Sequence, residues 1–191
     1  MNNSFLRKPH QSPSKSKGMT FLEVLVALVI LVTGILGAVA LQTVAKQSSF
    51  DTMQRSLASS LAQDIIERMR GNNSNSISLY QVGSPFGAGG GPAPTNCNLL
   101  ASNCNPAALA AHDLYEWEQS LIGTGVTNGA LNVGGLVNGV GCISVVGNSV
   151  TIAISWQGKT DIADAGSSTT GNACGTVGKK RRQVVIDAFI L

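Results

Sequence analysis

A chain of 191 residues is the length of one domain plus an appendage, since domains commonly run to about 100 to 150 residues. Its formal charge of +3 comes from Arg7, Lys8, Lys15 and Lys17, crowded ahead of residue 18; the 13 basic residues less those four leave 9 against 10 acids, so the basic balance carries no argument for a nucleic-acid partner. The two histidines, His10 and His112, stand in no recognisable catalytic or metalloprotease pattern and no paired-carboxylate motif appears, so no enzyme and no cofactor is expected.

The first element is an apolar run from Met19 to Leu41, long enough for a membrane's hydrocarbon core, which takes about 20 residues. It carries one charge, Glu23. A carboxylate in such a run costs roughly 2.5 to 3.5 kcal/mol on insertion scales and is read by default as functional, although near the interface it would also snorkel to water. The positive-inside rule puts residues 1–18 in the cytoplasm and the chain after Leu41 across the membrane. The order Gly18-Met19-Thr20-Phe21-Leu22-Glu23, followed by Val24-Leu25-Val26-Ala27-Leu28, resembles the class III signal of type IV pilins and related pseudopilins.

That resemblance implies that a prepilin peptidase cuts between Gly18 and Met19 on the cytoplasmic side, methylates Met19, and leaves the helix attached. Met19 stands where the family usually has Phe. It also implies that Glu23 pairs with the free amine of a neighbouring subunit's Met19, neutralising both charges in an apolar filament core and setting the axial register. Two other fates fit the same run. Ala38-Val39-Ala40 has the form of a signal peptidase I site, which would release a secreted domain beginning at Leu41; an uncleaved anchor would instead hold a periplasmic binding module.

Helical periodicity continues past Leu41. Phe50, Met53, Leu57, Leu61, Ile65 and Met69 recur at spacings of three or four and predict an inward stripe. Asp51 with Arg55 and Asp64 with Arg68 are acid-before-base pairs on one face, and Gly71-Asn72-Asn73 supplies a stop. A helix from Thr20 to Arg70 would be roughly 75 Å long at 1.5 Å per residue, the length of a pilin spine. Gly34 and Gly37 predict either a bend or a close helix contact, and the resemblance favours the flexible point.

From Asn72 to Asn105 the polar, Gly- and Pro-rich composition predicts a surface loop. Its glycine cluster, Gly87 to Pro94, lacks the Gly-Lys-Ser/Thr of a phosphate-binding loop. Asn105 then caps a second helix with Pro106 at its first position, ending near Gly123 and carrying Leu109, Leu114, Trp117 and Leu121 inward. His112 and Asp113 read as surface or cap residues. A weak strand is expected over Leu131–Val137, then a hairpin of Cys142–Val146 and Val150–Trp156 around Gly147-Asn148, with Val150, Ile152, Ile154 and Trp156 on one face. A last strand follows over Arg182–Ile190. The run Lys179-Lys180-Arg181-Arg182 reads as a solvated face, or as a contact for an acidic partner, DNA or an anionic surface; no aromatics interleave with it as single-stranded nucleic acid would require.

Cys97, Cys104, Cys142 and Cys174 all follow the apolar run, and an oxidising compartment there makes two disulfides the natural expectation. Of the three possible pairings the short spacer favours Cys97 with Cys104, leaving Cys142 with Cys174. No Cys-x-x-Cys pair supports a zinc site. The fold class expected is α+β: a pilin-like long N-terminal helix packed on a small antiparallel sheet of three or four strands. Residues 1–18 form the leader, 19–41 the transmembrane or filament-core half of the helix, 42–71 its amphipathic half, and 72–191 the head. The segment from Cys104 to Trp117, with Gly141-Cys142-Ile143 and Ile154-Ser155-Trp156, is similar to PilV-type minor pilins. A subunit acting in pilus assembly, initiation or modification is implied, with a type II secretion pseudopilin as the alternative. The partners implied are the prepilin peptidase, other major and minor pilins, the assembly machinery and the inner membrane, followed by the pilus at the cell surface.

Overall fold

The computed structural model describes residues 18–191 except 82, 90, 100 and 167, so the leader cations and His10 lie outside the described residues. The chain divides into two compact units, Met1–Val44 and Ala45–Leu191. Helix α1, Phe21–Gly71, contributes to both. In the first unit α1 is exposed along its apolar length, and its 18-residue window of mean hydropathy 2.9 is long and apolar enough to cross a membrane. The helix continues without a break through Gly34 and Gly37, next to Thr33, whose hydroxyl donates back to the carbonyls of Val29 at 3.0 Å and Ile30 at 2.9 Å. The i−4 ladder carries both glycines, and a Cβ at either would meet nothing within 4 Å.

In the second unit α1 buries Gln54, Ala58, Leu61, Ala62, Ile65, Ile66 and Met69. Leu61, Ile65 and Met69 lie on the expected stripe, while its N-terminal half is rotated toward Gln54 and Ala58. Met53 is 57% exposed, and Phe50 and Leu57 are half-buried. Ala58 and Ala62, both fully buried, occupy the seam because their methyls let neighbouring elements approach closely. Gln54 enters the core by satisfying backbone, accepting from Val137 N at 3.0 Å and donating to Gly135 O at 3.5 Å.

The expected surface loop after α1 begins instead with a 3-10 helix, Ser74–Gln81, that buries Ile77 and Tyr80. Phe86 follows into the core and forms an isolated antiparallel bridge with Gly141, with N···O distances of 2.7 and 2.8 Å. Helix α2, Pro106–Ile122, starts and stops as the sequence predicts. The Asn105 side chain accepts from Ala108 N, Pro106 opens the first turn, and Gly123 closes it at φ 72°. A side chain at 123 is impossible, since its Cβ would lie 1.9 Å from Gly135 N. Leu114, Trp117 and Leu121 are buried, while Leu109 is only half-buried.

Strands β1, Thr127–Asn128, and β2, Leu131–Asn132, form a two-stranded ribbon, shorter than the strand expected over Leu131–Val137. Gly134 and Gly135 end it by turning under Gly123, where a Cβ at Gly135 would lie 2.5 Å from Gly123 N. The main sheet has the order β3-β4-β5, with β3 Val140–Val146, β4 Ser149–Gln157 and β5 Arg181–Phe189, all antiparallel. On β4, Val150, Ile152, Ile154 and Trp156 are buried on one face and join α1, α2 and the 3-10 helix in a single core. The opposite face holds a smaller cluster of Cys142, Ala153 and Cys174 beside Val140 and Val185. It adjoins helix α3, Thr169–Ala173. The outer edge of β3 is covered, because Ser84 Oγ and Gln81 Oε1 accept from the amides of Ile143 and Val145 at 3.3 and 3.2 Å. Trp117 is the centre of the core. Its Nε1 donates to Leu61 O at 2.8 Å, Phe86 packs edge-on at 5.5 Å, and Gly141 lies against its ring, where a Cβ would come 2.4 Å from Cη2.

Disulfides join Cys97 to Cys104 and Cys142 to Cys174, with sequence separations of 7 and 32. With all four cysteines so bonded, no thiolate is left for a metal. Chain entropy scales with the loop closed, so replacing Cys142 and Cys174 together by serine should cost about 3.5 kcal/mol and the Cys97/Cys104 pair about 2.5. Urea unfolding of the full chain in detergent reads the difference; equal losses would show that strain or denatured-state structure, rather than loop length, sets the effect.

Candidate functional site

Gly18 and Met19 are exposed non-helical backbone ahead of α1, with Met19 75% exposed and nothing within 4 Å of a Cβ at Gly18. Such a segment can enter a protease cleft without unfolding anything else. Thr20 starts the helix. Its Oγ1 accepts from Glu23 N at 3.3 Å and its carbonyl from the same amide at 3.0 Å. This is half of a capping box, Thr-x-x-Glu, which pins the first turn and places the Glu23 carboxylate where the helix dipole favours an anion. Thr20 received no role in the sequence reading, although the four-residue spacing was there to signal one.

Glu23 is exposed and has no cationic partner among the described residues. It is the sole charged side chain between Phe21 and Val44. A lone acid on an otherwise apolar, uncovered helix is a candidate functional residue.

The head contains a polar network that the sequence did not disclose. His112 and Asp113, expected at the surface, are both buried. They are neighbours on α2: Asp113 is met by both Arg68 of α1 and Tyr80 of the 3-10 helix, and His112 lies beside Glu116, one turn further on. Tyr80 Oη donates to Asp113 Oδ2 at 2.7 Å, and Arg68 Nη1 reaches Glu116 Oε2 at 2.8 Å and Asp113 Oδ1 at 3.4 Å. Arg68 also holds Asp64 at 3.0 Å, the helix pair read from spacing. His112 Nε2 lies 3.2 Å from Glu116 Oε1 without a hydrogen bond to it, and that oxygen accepts from Asn98 Nδ2 at 2.9 Å. The Arg68 hydrogen bond holds the Glu116 carboxyl below the usual range against the opposing effect of burial. Burial, then donation to Asp113, pushes the Tyr80 phenol well up. The network locks α2, the 3-10 helix and the loop bearing Cys97 onto α1.

The raised Tyr80 pKa has a consequence in alkali. The folded state keeps a proton that the unfolded state releases near pH 10, so this contribution is complete below pH 10 and is lost as pH rises above it, by up to about 1.4 kcal/mol per pH unit. Urea midpoints of wild type and Tyr80→Phe between pH 8 and 11 should therefore converge; parallel curves would remove Tyr80 as the titrating group.

Arg181 and Arg182 are not solvated, contrary to expectation. Arg181 is buried, with Nε 2.6 Å from Asp164 Oδ1 and Nη1 donating to the carbonyls of Asn172 and Cys174 at 3.3 and 3.2 Å. Burial would raise the Asp164 carboxyl, but the Arg181 hydrogen bond and the amides of Gly166 and Gly178 hold it below its ordinary value. Arg182 Nη2 donates to Thr160 O at 2.7 Å and lies 3.6 Å from Asp51. Asp51 therefore pairs across to the sheet rather than along the helix with Arg55. Lys179 and Lys180 alone remain exposed.

Residues 13–39 match the prokaryotic N-terminal methylation motif, and residues 40–115 match the Tt1218-like family, described as type IV pilin Tt1218. Curated proteins and solved structures yield no match. The two matched segments abut within α1, one covering the apolar helix and the other running from its continuation into the first part of α2.

Proposed function

We propose that this type IV pilin-like structural subunit is a minor pilin of the PilV type, stored in the inner membrane as a single-pass protein with its head in the periplasm. A prepilin peptidase cuts between Gly18 and Met19 and methylates Met19, and the mature chain then enters a pilus, where it serves assembly, initiation or modification. Glu23 is the observation that carries this reading: one carboxylate on an exposed apolar helix, one turn from the chain end that the cut would create. The new α-amine stays cationic at neutral pH. In a filament core, that amine on one subunit and Glu23 on the next neutralise each other, and an unmatched register would leave two bare charges in an apolar medium. The subunit acts by packing and turns over no substrate.

Intact and N-terminal peptide mass spectrometry of the protein, from cells with and without their prepilin peptidase, tests this. The expected mature chain starts at Met19, carries one extra methyl group, and is lost without the peptidase. A start at Leu41 would mean a freely secreted domain, and an intact Met1 in both strains would mean a plain anchor. Co-isolation with secretion components rather than pilus components would assign the same processed chain to a type II secretion system.

A further inference from the structure

Lys179 and Lys180 stand beside an open cleft of about 570 Å³, formed where β4 ends and β5 begins. The same end of the sheet is tied to the start of the second unit. Lys159 N donates to Asp51 Oδ1 at 3.2 Å, and Lys159 Nζ sits 5.0 Å from the centroid of Phe50. Phe50 follows Val44, the last residue of the apolar unit, by six positions in sequence.

Apolar side chains are interspersed with the cations. Val177 is 70% exposed and Ile162 46%, and Ile162 N donates to Lys179 O at 2.8 Å. Of the acids nearby, Asp51 and Asp164 are each held by an arginine, which leaves Asp161 against three lysines. Exposed lysines alternating with exposed aliphatic groups, a short chain length from a membrane-spanning segment, form the composition of an interfacial contact.

We propose that Lys159, Lys179 and Lys180, with Val177 and Ile162, bind the anionic phosphate headgroups of the bilayer that holds the apolar helix. This rests on the membrane-stored reading above. Contact of this kind draws the head onto the membrane before assembly, and extraction into a filament must break it.

The test is amide hydrogen exchange over residues 159–162 and 176–181 of the full chain, in vesicles of phosphatidylcholine alone or with about one quarter phosphatidylglycerol. Exchange in the anionic vesicles should be slower by about fivefold or more. The difference should vanish in the double variant Lys179→Glu/Lys180→Glu, and for wild type in about 0.5 M salt, which needs no variant to fold. Equal exchange in the two vesicles overturns the proposal. So does equal protection by inorganic phosphate or by duplex DNA added to neutral vesicles, which would mark a site for a free anion or for nucleic acid. Extraction by alkaline carbonate separates the two levels: a retained protein without protection refutes the headgroup contact alone, whereas a protein released from both vesicles refutes the membrane reading and this contact with it.

Discussion

Replacing Trp117 by alanine is expected to destabilise the head by about 3 to 5 kcal/mol, the range for removing a buried large aromatic. The indole is fully buried and touches elements far apart in sequence: the Leu61 carbonyl accepts its N–H, Phe86 packs on its edge, and Gly141 lies against its six-membered ring. Relaxation cannot refill the space, because α1 presents Ala58 and Ala62 to the core and Gly141 has no side chain to move in. Trp117→Phe keeps most of the apolar area and loses the hydrogen bond, so its cost should be smaller by at least about 1 kcal/mol. Urea unfolding of both variants in detergent measures this. A loss under about 1 kcal/mol for the alanine variant would remove Trp117 from the centre of the core.

Glu23→Ala should leave the amount of protein in the membrane unchanged and reduce its recovery in sheared pili at least about tenfold, equivalent to about 1.4 kcal/mol of lost preference for the assembled state. The variant removes the one charge from an apolar helix, so insertion becomes easier, not harder. Loss of the favourable helix-end charge costs only about 0.3 to 1 kcal/mol and does not unfold α1. Glu23→Gln separates the two contributions. It keeps a polar side chain of the same size but offers no charge to a neighbouring amine, and it should fail in assembly as alanine does. Wild-type recovery of either variant in the pilus fraction would sink the register mechanism, and a reduced membrane level would move the role of Glu23 from assembly to insertion.

The regular elements were legible because each has a local cause. Asn105-Pro106 and Gly123 bracket α2, and the alternation from Val150 to Trp156 fixes β4 and its buried face. What the sequence hid depends on contacts between distant segments. Ser74–Gln81 looks polar in isolation, yet Ile77 and Tyr80 are enough to fold it against α2 once Asp113 is there to accept the phenol. Arg181 and Arg182 sit in a run that reads as solvated, and only the fold brings Asp164 and Asp51 to them. The stripe on α1 holds at Leu61, Ile65 and Met69, but its N-terminal half shifts to Gln54 and Ala58, because alanine and glutamine carry little hydrophobic signal, although the former allows close packing and the latter bonds to buried backbone. At the N-terminus the pattern from Gly18 to Glu23 spoke for itself, whereas the capping contact of Thr20 emerged only with the backbone conformation.

The contact between Gly141 and Trp117 also restricts how this chain can diverge. Any β-carbon at 141 would collide with the indole, so a lineage drifting to alanine or serine at that site has to shrink residue 117 first or in the same step. Phe86, whose ring packs edge-on against the same indole, ties a third position into that constraint. Among descendants of this sequence, residues 86, 117 and 141 should therefore change as a set, and a chimera that draws 141 from one homologue and 117 from another would fold poorly even where both parents are stable.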